Sequence, residues 1–530
     1  MVTPTSKFAF FGLLGFLGVA PAFGQDAPPD PEATQIEEGY EDNLTGDDYL
    51  RGDVPEWLEE YGYTDTLSND GANTGLPPSQ PSGAQGSPSP GMGAGGSARG
   101  RSLQERRTFT GDWFGKRTQL RENGILYRGR LTQFFFGVDG GVVPPVPPQF
   151  EALGIEGGDR FEYTGNSRHD FLLDLDKLAG MPHSKFVVTL ENVWGKWGNV
   201  SFETGSLSPP VFNALFPVDT EAQGVPRVTN FMLLQPLSEQ FILSVGKTRT
   251  IGIADNNIFA GGDGSDQFLN QSFVANPLMV PLIPLSVFSV GAVMPMDWGN
   301  IGLTVMDAKE RSTDFMNFGD LFAEGAILFG QIKVDTDFFE LPGQHHIGGF
   351  YRNSDLTDLR FVTAPPTYPY EPPPDGTPSF LTRPETSAIF YGFDQYLTTF
   401  GPARGLRGNE EGWGLFGRAS IADGGNGNPN FGAWHLSAGI GGDSPLQKRR
   451  GKGDRFGFGY AYTAASDEFG AIPQFLFAPR DAQIIEAYYR YRVAPSMELT
   501  PDIQWVRGLL GGLTNDGDAT VFGLRFNMLL

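Results

Sequence analysis

The stretch Thr520-Val521-Phe522-Gly523-Leu524-Arg525-Phe526-Asn527-Met528-Leu529-Leu530 decides the class of fold. Phe522, Leu524, Phe526, Met528 and Leu530 fall on one face of an extended chain, and Gly523, Arg525 and Asn527 on the other. A period of two is a β-strand. One aromatic, apolar face and one polar face suit a strand between lipid and a watery lumen, and they also suit a strand of a soluble sandwich. The rest of the chain has to choose between the two.

The N-terminus points to export, which agrees with the barrel. Lys7 precedes an apolar run from Phe8 to Ala20, followed by Pro21, the small-ended Ala22-Phe23-Gly24 and Gln25. This pattern predicts a Sec signal peptide over residues 1–24, because the run is too short for a comfortable transmembrane helix. The chain contains no Cys, which excludes a lipoprotein and any disulfide framework. An exported chain of this kind is held together by burial and β hydrogen bonds alone.

Composition agrees. A mean hydropathy of −0.23 fits a barrel, whose strands alternate lipid-facing and lumen-facing side chains. The formal charge of −24 argues against a nucleic-acid partner, which calls for basic patches. Much of that charge is local, since residues 25–70 hold fifteen Asp or Glu against Arg51 alone. Residues 25–104 are acidic and then rich in Pro, Gly and Ser, and such segments bury too little apolar surface to offset their conformational entropy. They are expected to form a disordered periplasmic tail, with Pro55 to Tyr61 as a short helix or docking motif inside it.

Behind the tail, residues 105–530 read as one barrel domain. Asp112 is placed to cap a short helix, Gly124 suits the left-handed position that ends one, and alternation starts at Tyr127. Tyr127 and Leu131 face one way, Arg128, Arg130 and Thr132 the other. Phe171, Leu173 and Leu175 oppose Asp170, Asp174 and Asp176; Phe186, Val188 and Leu190 oppose Lys185, Thr189 and Glu191. The pattern returns with Tyr391 and Phe393 against Gly392 and Asp394, and with Trp413, Leu415 and Ile421 against Arg418 and Ser420. It returns again with Ile485, Tyr489, Tyr491 and Val493 against Glu486, Arg490 and Arg492. Trp413, Trp434 and Trp505 sit on outward phases and are expected in an interfacial girdle. Turns at Pro236-Leu237-Ser238, Pro295-Met296-Asp297 and Pro495-Ser496 are short, whereas connections at 195–227, 353–386, 463–482 and 507–518 are long. Pro277, Pro281 and Pro284 disrupt any helix in the apolar run from Pro277 to Met294, leaving a loop that feeds a strand near Leu285. The expectation is an all-β, transmembrane antiparallel barrel of about sixteen strands with a short N-terminal helix, wide enough for an aqueous channel.

Several motifs then resemble a known family, the carbohydrate-selective porins (OprB type). They are Gly111-Asp112-Trp113 through Asn123-Gly124-Ile125, Leu173 through Gly180, Val245-Gly246-Lys247, and Gln267-Phe268-Leu269-Asn270. Asp394-Gln395, Trp413 through Arg418 and Val521 through Arg525 complete the set, in order, over roughly residues 105–530. The resemblance implies a sixteen-stranded outer-membrane barrel passing sugars by facilitated diffusion. Leu530 departs from the Phe with which such barrels commonly end, and the acidic tail is not part of the shared pattern.

The chemistry is that of a pore rather than an enzyme. No G-x-S-x-G occurs, Gly261-Gly262-Asp263-Gly264 lacks the helix a phosphate loop needs, and adjacent His345-His346 on a strand point to opposite faces. No cofactor, metal or catalytic group is expected. Paired acids and bases on inward faces replace the hydration of a neutral sugar without holding it tightly. Arg128, Arg130, Asp174, Glu191, Asp394, Arg418, Arg490 and Arg492 are the pore-lining candidates, and structural salt bridges bracing the wall are the competing role for each. The expected partners are a carbohydrate, outer-membrane lipid and the barrel-assembly machinery. A non-selective porin, and an outer-membrane enzyme or adhesin, are the other readings.

Overall fold

The computed structural model describes residues 108–530 apart from 145–155, 220, 239, 253–254, 316–317, 358–381, 401–410, 424–428, 447–452, 470–477 and 516. The predicted signal peptide and the whole of the predicted tail, residues 25–104, therefore lie outside the described residues. The strands begin with β1 (Ile125–Gly140), β2 (Arg160–Asp174), β3 (Lys185–Gly195), β4 (Arg227–Ser238), β5 (Phe241–Arg249) and β6 (Ser286–Met296). Next come β7 (Gly299–Asp307), β8 (Ala326–Phe338), β9 (Leu341–Thr357), β10 (Thr382–Thr399) and β11 (Gly412–Ala422). The series ends with β12 (Gly432–Asp443), β13 (Arg455–Ala465), β14 (Ala482–Ala494), β15 (Met497–Arg507) and β16 (Ala519–Leu529). Each pairs antiparallel with its sequence neighbours, and β1 pairs with β16 from Arg130↔Leu529 to Gly140↔Ala519, so the sixteen strands close. Closure leaves no sheet edge, as a backbone surrounded by lipid requires.

The period-two reading holds along the wall. Phe522 is exposed on the outer face, whereas Arg525 and Asn527 are buried on the inner one. Tyr391, Leu415, Phe458 and Ile503 are likewise exposed, while Asp394, Arg418, Glu486 and Gln504 are buried. Trp413 lies near one end of β11, and Trp434 and Trp505 lie near the other end of the wall on β12 and β15. Trp434 stacks on Tyr462 with ring centroids 4.9 Å apart.

A short helix α1 (Lys116–Glu122) precedes β1. Its N-cap position is taken by Gly115 rather than Asp112, although Asp112 Oδ1 accepts from Thr118 N at 2.8 Å and Thr118 Oγ1 at 2.9 Å in the first turn. Gly124 ends the helix at φ +88°, where a Cβ would also stand 2.9 Å from Lys177 Cβ.

Two further expectations need correction, and one feature is not anticipated. Leu175 and Asp176 do not continue β2; they belong to a helical turn α2 (Leu175–Ala179). Asp174 is its N-cap, accepting from Asp176 N and Lys177 N, and Gly180 at φ +65° stops it, so local capping overrides the alternation. Residues 353–357 and 382–386, read as connection, are strand. Finally, spacing does not anticipate the connection 250–285, which folds inward.

The inward course of that connection determines where the core sits. Phe259, Phe268 and Phe273 from residues 250–285, with Phe212 and Phe216 from residues 196–226, are buried in one cluster. Inward-facing Phe134, Phe136, Phe416, Tyr488 and Val521 complete it. Phe268 alone meets Phe273 at 4.8 Å, Tyr488 at 5.0 Å and Phe416 at 5.3 Å. Aromatic burial of this kind is worth about 1.5–3 kcal/mol per side chain. Part of the lumen is therefore packed like a soluble core.

Candidate pore and inner loop

Residues 250–285, the inner loop, are held by ion pairs at two carboxylates. Asp263 lies 3.2 Å from Arg168, 3.3 Å from Arg249 and 3.5 Å from Arg130, so strands β1, β2 and β5 converge on one group. Burial disfavours its charge, but the three guanidiniums outweigh that and hold the carboxyl well below the usual carboxylate range. Asn213 Nδ2 donates to Asp263 O at 2.9 Å, tying in residues 196–226. The second anchor is Asp255, 2.7 Å from Arg418 Nε and 3.0 Å from His346 Nε2. Between them, Gly261 takes φ +133°, and a Cβ there would stand 2.3 Å from Asn256 Oδ1 and 2.8 Å from Asn257 O. Only glycine fits that turn without rearrangement.

The inner wall binds the backbone of the same loop. Arg418 donates to Ser272 O and Phe273 O at 3.3 Å and to Asp255 O at 2.9 Å. Asp394 accepts from Asn257 Nδ2 at 2.9 Å and Phe259 N at 3.2 Å. Glu486 accepts from Leu269 N at 2.6 Å and Asn270 N at 3.0 Å. Arg525 donates to Gly264 O at 2.8 Å. Buried charges with such partners meet the rule that interior polar groups are hydrogen-bonded.

The eight pore-lining candidates fall into this picture as follows. Arg130, Asp394, Arg418 and Arg490 contact the inner loop, the last through Asp266 O at 3.5 Å. Glu191 pairs with Arg249 at 3.2 Å, and Arg492 with Glu498 at 3.2 Å. Arg128 stands in register with Asp170 across β1 and β2. Asp174 caps α2 and pairs with Lys185 at 2.8 Å, at the end of the wall.

Beside the loop lies a cavity whose space not filled by atoms, open solvent at its mouth included, comes to about 1160 Å³. None of the eight candidates lines it. One part of its lining is apolar, from Met232 and Leu234 of β4 and from Met279, Val280 and Ile283 of the inner loop. Another part is polar: Ser244 and Thr248 of β5, Asn300 and Thr304 of β7, and Gln331 and Lys333 of β8. Asp255 belongs to the lining as well, and its backbone N donates to Gln331 Oε1 at 3.0 Å. That carboxylate thus joins Arg418 to the cavity wall.

Sequence reasoning missed Asp255, Asp263 and the β7–β8 residues. Alternation along Gly299–Asp307 and Ala326–Phe338 carried a signal for the strand residues. The two aspartates had only a weak one, an Asp, Asn and Gly cluster inside a barrel connection.

The model of the carbohydrate-selective porin, OprB family, matches residues 159–529. Among solved structures, the high-pH structure of Pseudomonas putida OprB is similar at 17% identity and TM-score 0.64, covering 81% of this chain and 100% of that one. Its low-pH structure is similar at 14% identity and TM-score 0.45, covering 81% and 99%. A loop-deletion mutant of OmpT from Vibrio cholerae follows at 11% identity and TM-score 0.42, covering 77% and 99%. No curated protein matches. A closed sixteen-stranded barrel with the family's model matched across most of its length is a carbohydrate porin of the outer membrane, and the chain belongs to the carbohydrate-selective porin, OprB family.

Proposed function

We propose that sugars cross through the cavity between the inner loop and strands β4 to β8, and that the two-sided lining of that cavity is the selective element. A pyranose is itself two-sided, with hydroxyls around the rim and C–H groups on its faces. Met232, Leu234, Met279 and Val280 offer surface to the C–H faces. Asn300, Thr304, Gln331 and Lys333 exchange hydrogen bonds with the hydroxyls, replacing lost hydration without a deep well. The observation that carries this reading is the apolar lining beside a polar one in the lumen of a porin, where a uniformly polar wall is the rule.

Within the same reading, Arg130, Glu191, Asp394, Arg418, Arg490 and Arg492 govern flux by holding the loop and the wall that bound the path. Arg128 and Asp174 brace the wall. Residues 1–24 direct export and are removed, and residues 25–104 form a periplasmic tail, as their composition supports.

Uptake into liposomes tests the path. Met279→Asp and Lys333→Ala should each lower glucose flux several-fold while leaving the barrel heat-modifiable on gels. Unchanged flux in both variants would move the path elsewhere. Equal entry of all neutral solutes of sugar size, polyols included, would make the pore a sieve.

A further inference from the structure

The segment before β1 carries a feature that neither the pore nor the fold uses. Trp113 and Phe114 both adopt left-handed backbone, at φ +49° and φ +59°, a region that costs aromatic L-residues steric energy. Strain of this kind persists only where the surroundings fix it. Trp113 has such surroundings. Its ring lies 5.1 Å from that of Tyr127, and the Arg117 guanidinium sits 5.7 Å and 5.4 Å from the two ring centres. Arg117 also donates to Leu530 O at 2.8 Å and to Tyr127 O at 3.0 Å, and Phe109 N donates to Leu529 O at 2.7 Å. The segment is thereby fastened to the β1–β16 seam at the end of the wall. Phe114, by contrast, is fully exposed at 109%.

The side of the wall on which this happens identifies the occupant. Tyr127 shares its face of β1 with Leu131 and Phe135, which pair with Met528 and Leu524 on the lipid-facing side of β16. Tyr127 also lies in register with Phe171 and 5.2 Å from its ring. Trp113 therefore covers the outer surface of the barrel, and Phe114 follows it directly in the chain with its side chain exposed. Exposed Lys116 and half-buried Arg121 follow on α1. Apolar rings next to cations are the composition of an interfacial anchor. We propose that residues 109–122 form a hook on the outside of the barrel, and that Phe114 inserts into the acyl chains of the periplasmic phospholipid leaflet. The hook holds the start of the barrel domain at the membrane surface beside the wall.

The chain contains no Cys, so single spin labels report one site each. Phe114→Cys, Gln119→Cys and Phe522→Cys in the full chain, folded into phosphatidylethanolamine–phosphatidylglycerol vesicles, are compared by collision with oxygen and with a water-soluble nickel chelate. The label at 114 should resemble that at 522, oxygen-accessible and nickel-shielded, and differ from the one at 119. Nickel access at 114 equal to that at 119 overturns the anchor. Shielding from both reagents also overturns it, because the site is then covered by protein, either a second copy or residues of the tail. Lys116→Cys serves if Phe114→Cys does not fold, and should report the headgroup level rather than bulk water.

Discussion

Arg418 Nε on β11 lies 2.7 Å from Asp255 Oδ2 on the inner loop, and both side chains are essentially sealed from solvent. The pair joins a wall strand to the segment that bounds the cavity. His346 of β9 meets the same carboxylate at 3.0 Å, so one aspartate gathers two strands. Removing one partner of a buried pair is more disruptive than replacing both, because the survivor is left charged and unpaired.

Arg418→Ala should therefore cost about 3–5 kcal/mol of native stability, read as a lower midpoint of denaturant unfolding. It should also increase current noise and mean conductance in planar bilayers as the loop loosens. A quiet channel of native conductance would show that Asp394 and Glu486 fix the loop without Arg418.

The Asp263 latch predicts an acid limit. Its carboxyl is held well below the range near 3.9 that an unfolded aspartate shows. A depressed folded value means the stabilisation is fully present above the unfolded value and is lost as pH falls through the folded one. Conductance should accordingly stay constant from neutral pH down to about 4, with the loop released only in stronger acid. Asp263→Asn removes the charge that the three arginines share, and its channel should be noisy already at pH 7. Planar-bilayer recordings across pH test both halves of the claim.

Neighbouring residues on β16 should respond differently to substitution. Phe526→Arg places a charge toward lipid, at a cost of up to about 2–4 kcal/mol near the midplane, and should lower the yield of assembled barrel. Arg525→Ala should assemble better than Phe526→Arg, but not silently. Arg525 is fully buried and donates to Gly264 O, so its loss should change conductance as well. Heat-modifiability and bilayer recordings separate the two effects.

These contrasts show what was legible in the chain and why. Strand phase is a local property, so Phe522, Arg525, Asp394 and Arg418 could each be assigned a face from period two alone. Which partner an inward residue meets is not local. Arg130, Arg168 and Arg249 reach one carboxylate only after three strands have closed around it, and no spacing between them encodes that meeting. Hence the inward direction of Arg418 and Arg490 could be read, but not that an inner loop would stand against them. The β2 end failed for a different reason: Asp174 and Gly180 supply capping signals strong enough to turn an alternating run into α2.

The inner loop can be perturbed without touching any charge. Gly261 takes φ +133°, in a region open to glycine and strained for other residues. An alanine Cβ there would stand 2.3 Å from Asn256 Oδ1, 2.8 Å from Asn257 O and 2.9 Å from Asn257 N. The side-chain oxygen can swing away, but the two backbone atoms cannot move without shifting Asn257. Asn257 Nδ2 is bonded to Asp394 and its Oδ1 accepts from Arg418, so the displacement reaches Arg418 and its pair with Asp255. Gly261→Ala should thus assemble normally, since no strand residue changes, yet show altered conductance and several-fold altered glucose uptake. Native flux in that variant would mean that the loop backbone near Gly261 does not set the width of the path. Loss of assembly instead would make the loop part of the folding core, as its burial of Phe259 against Tyr396 at 4.7 Å also allows.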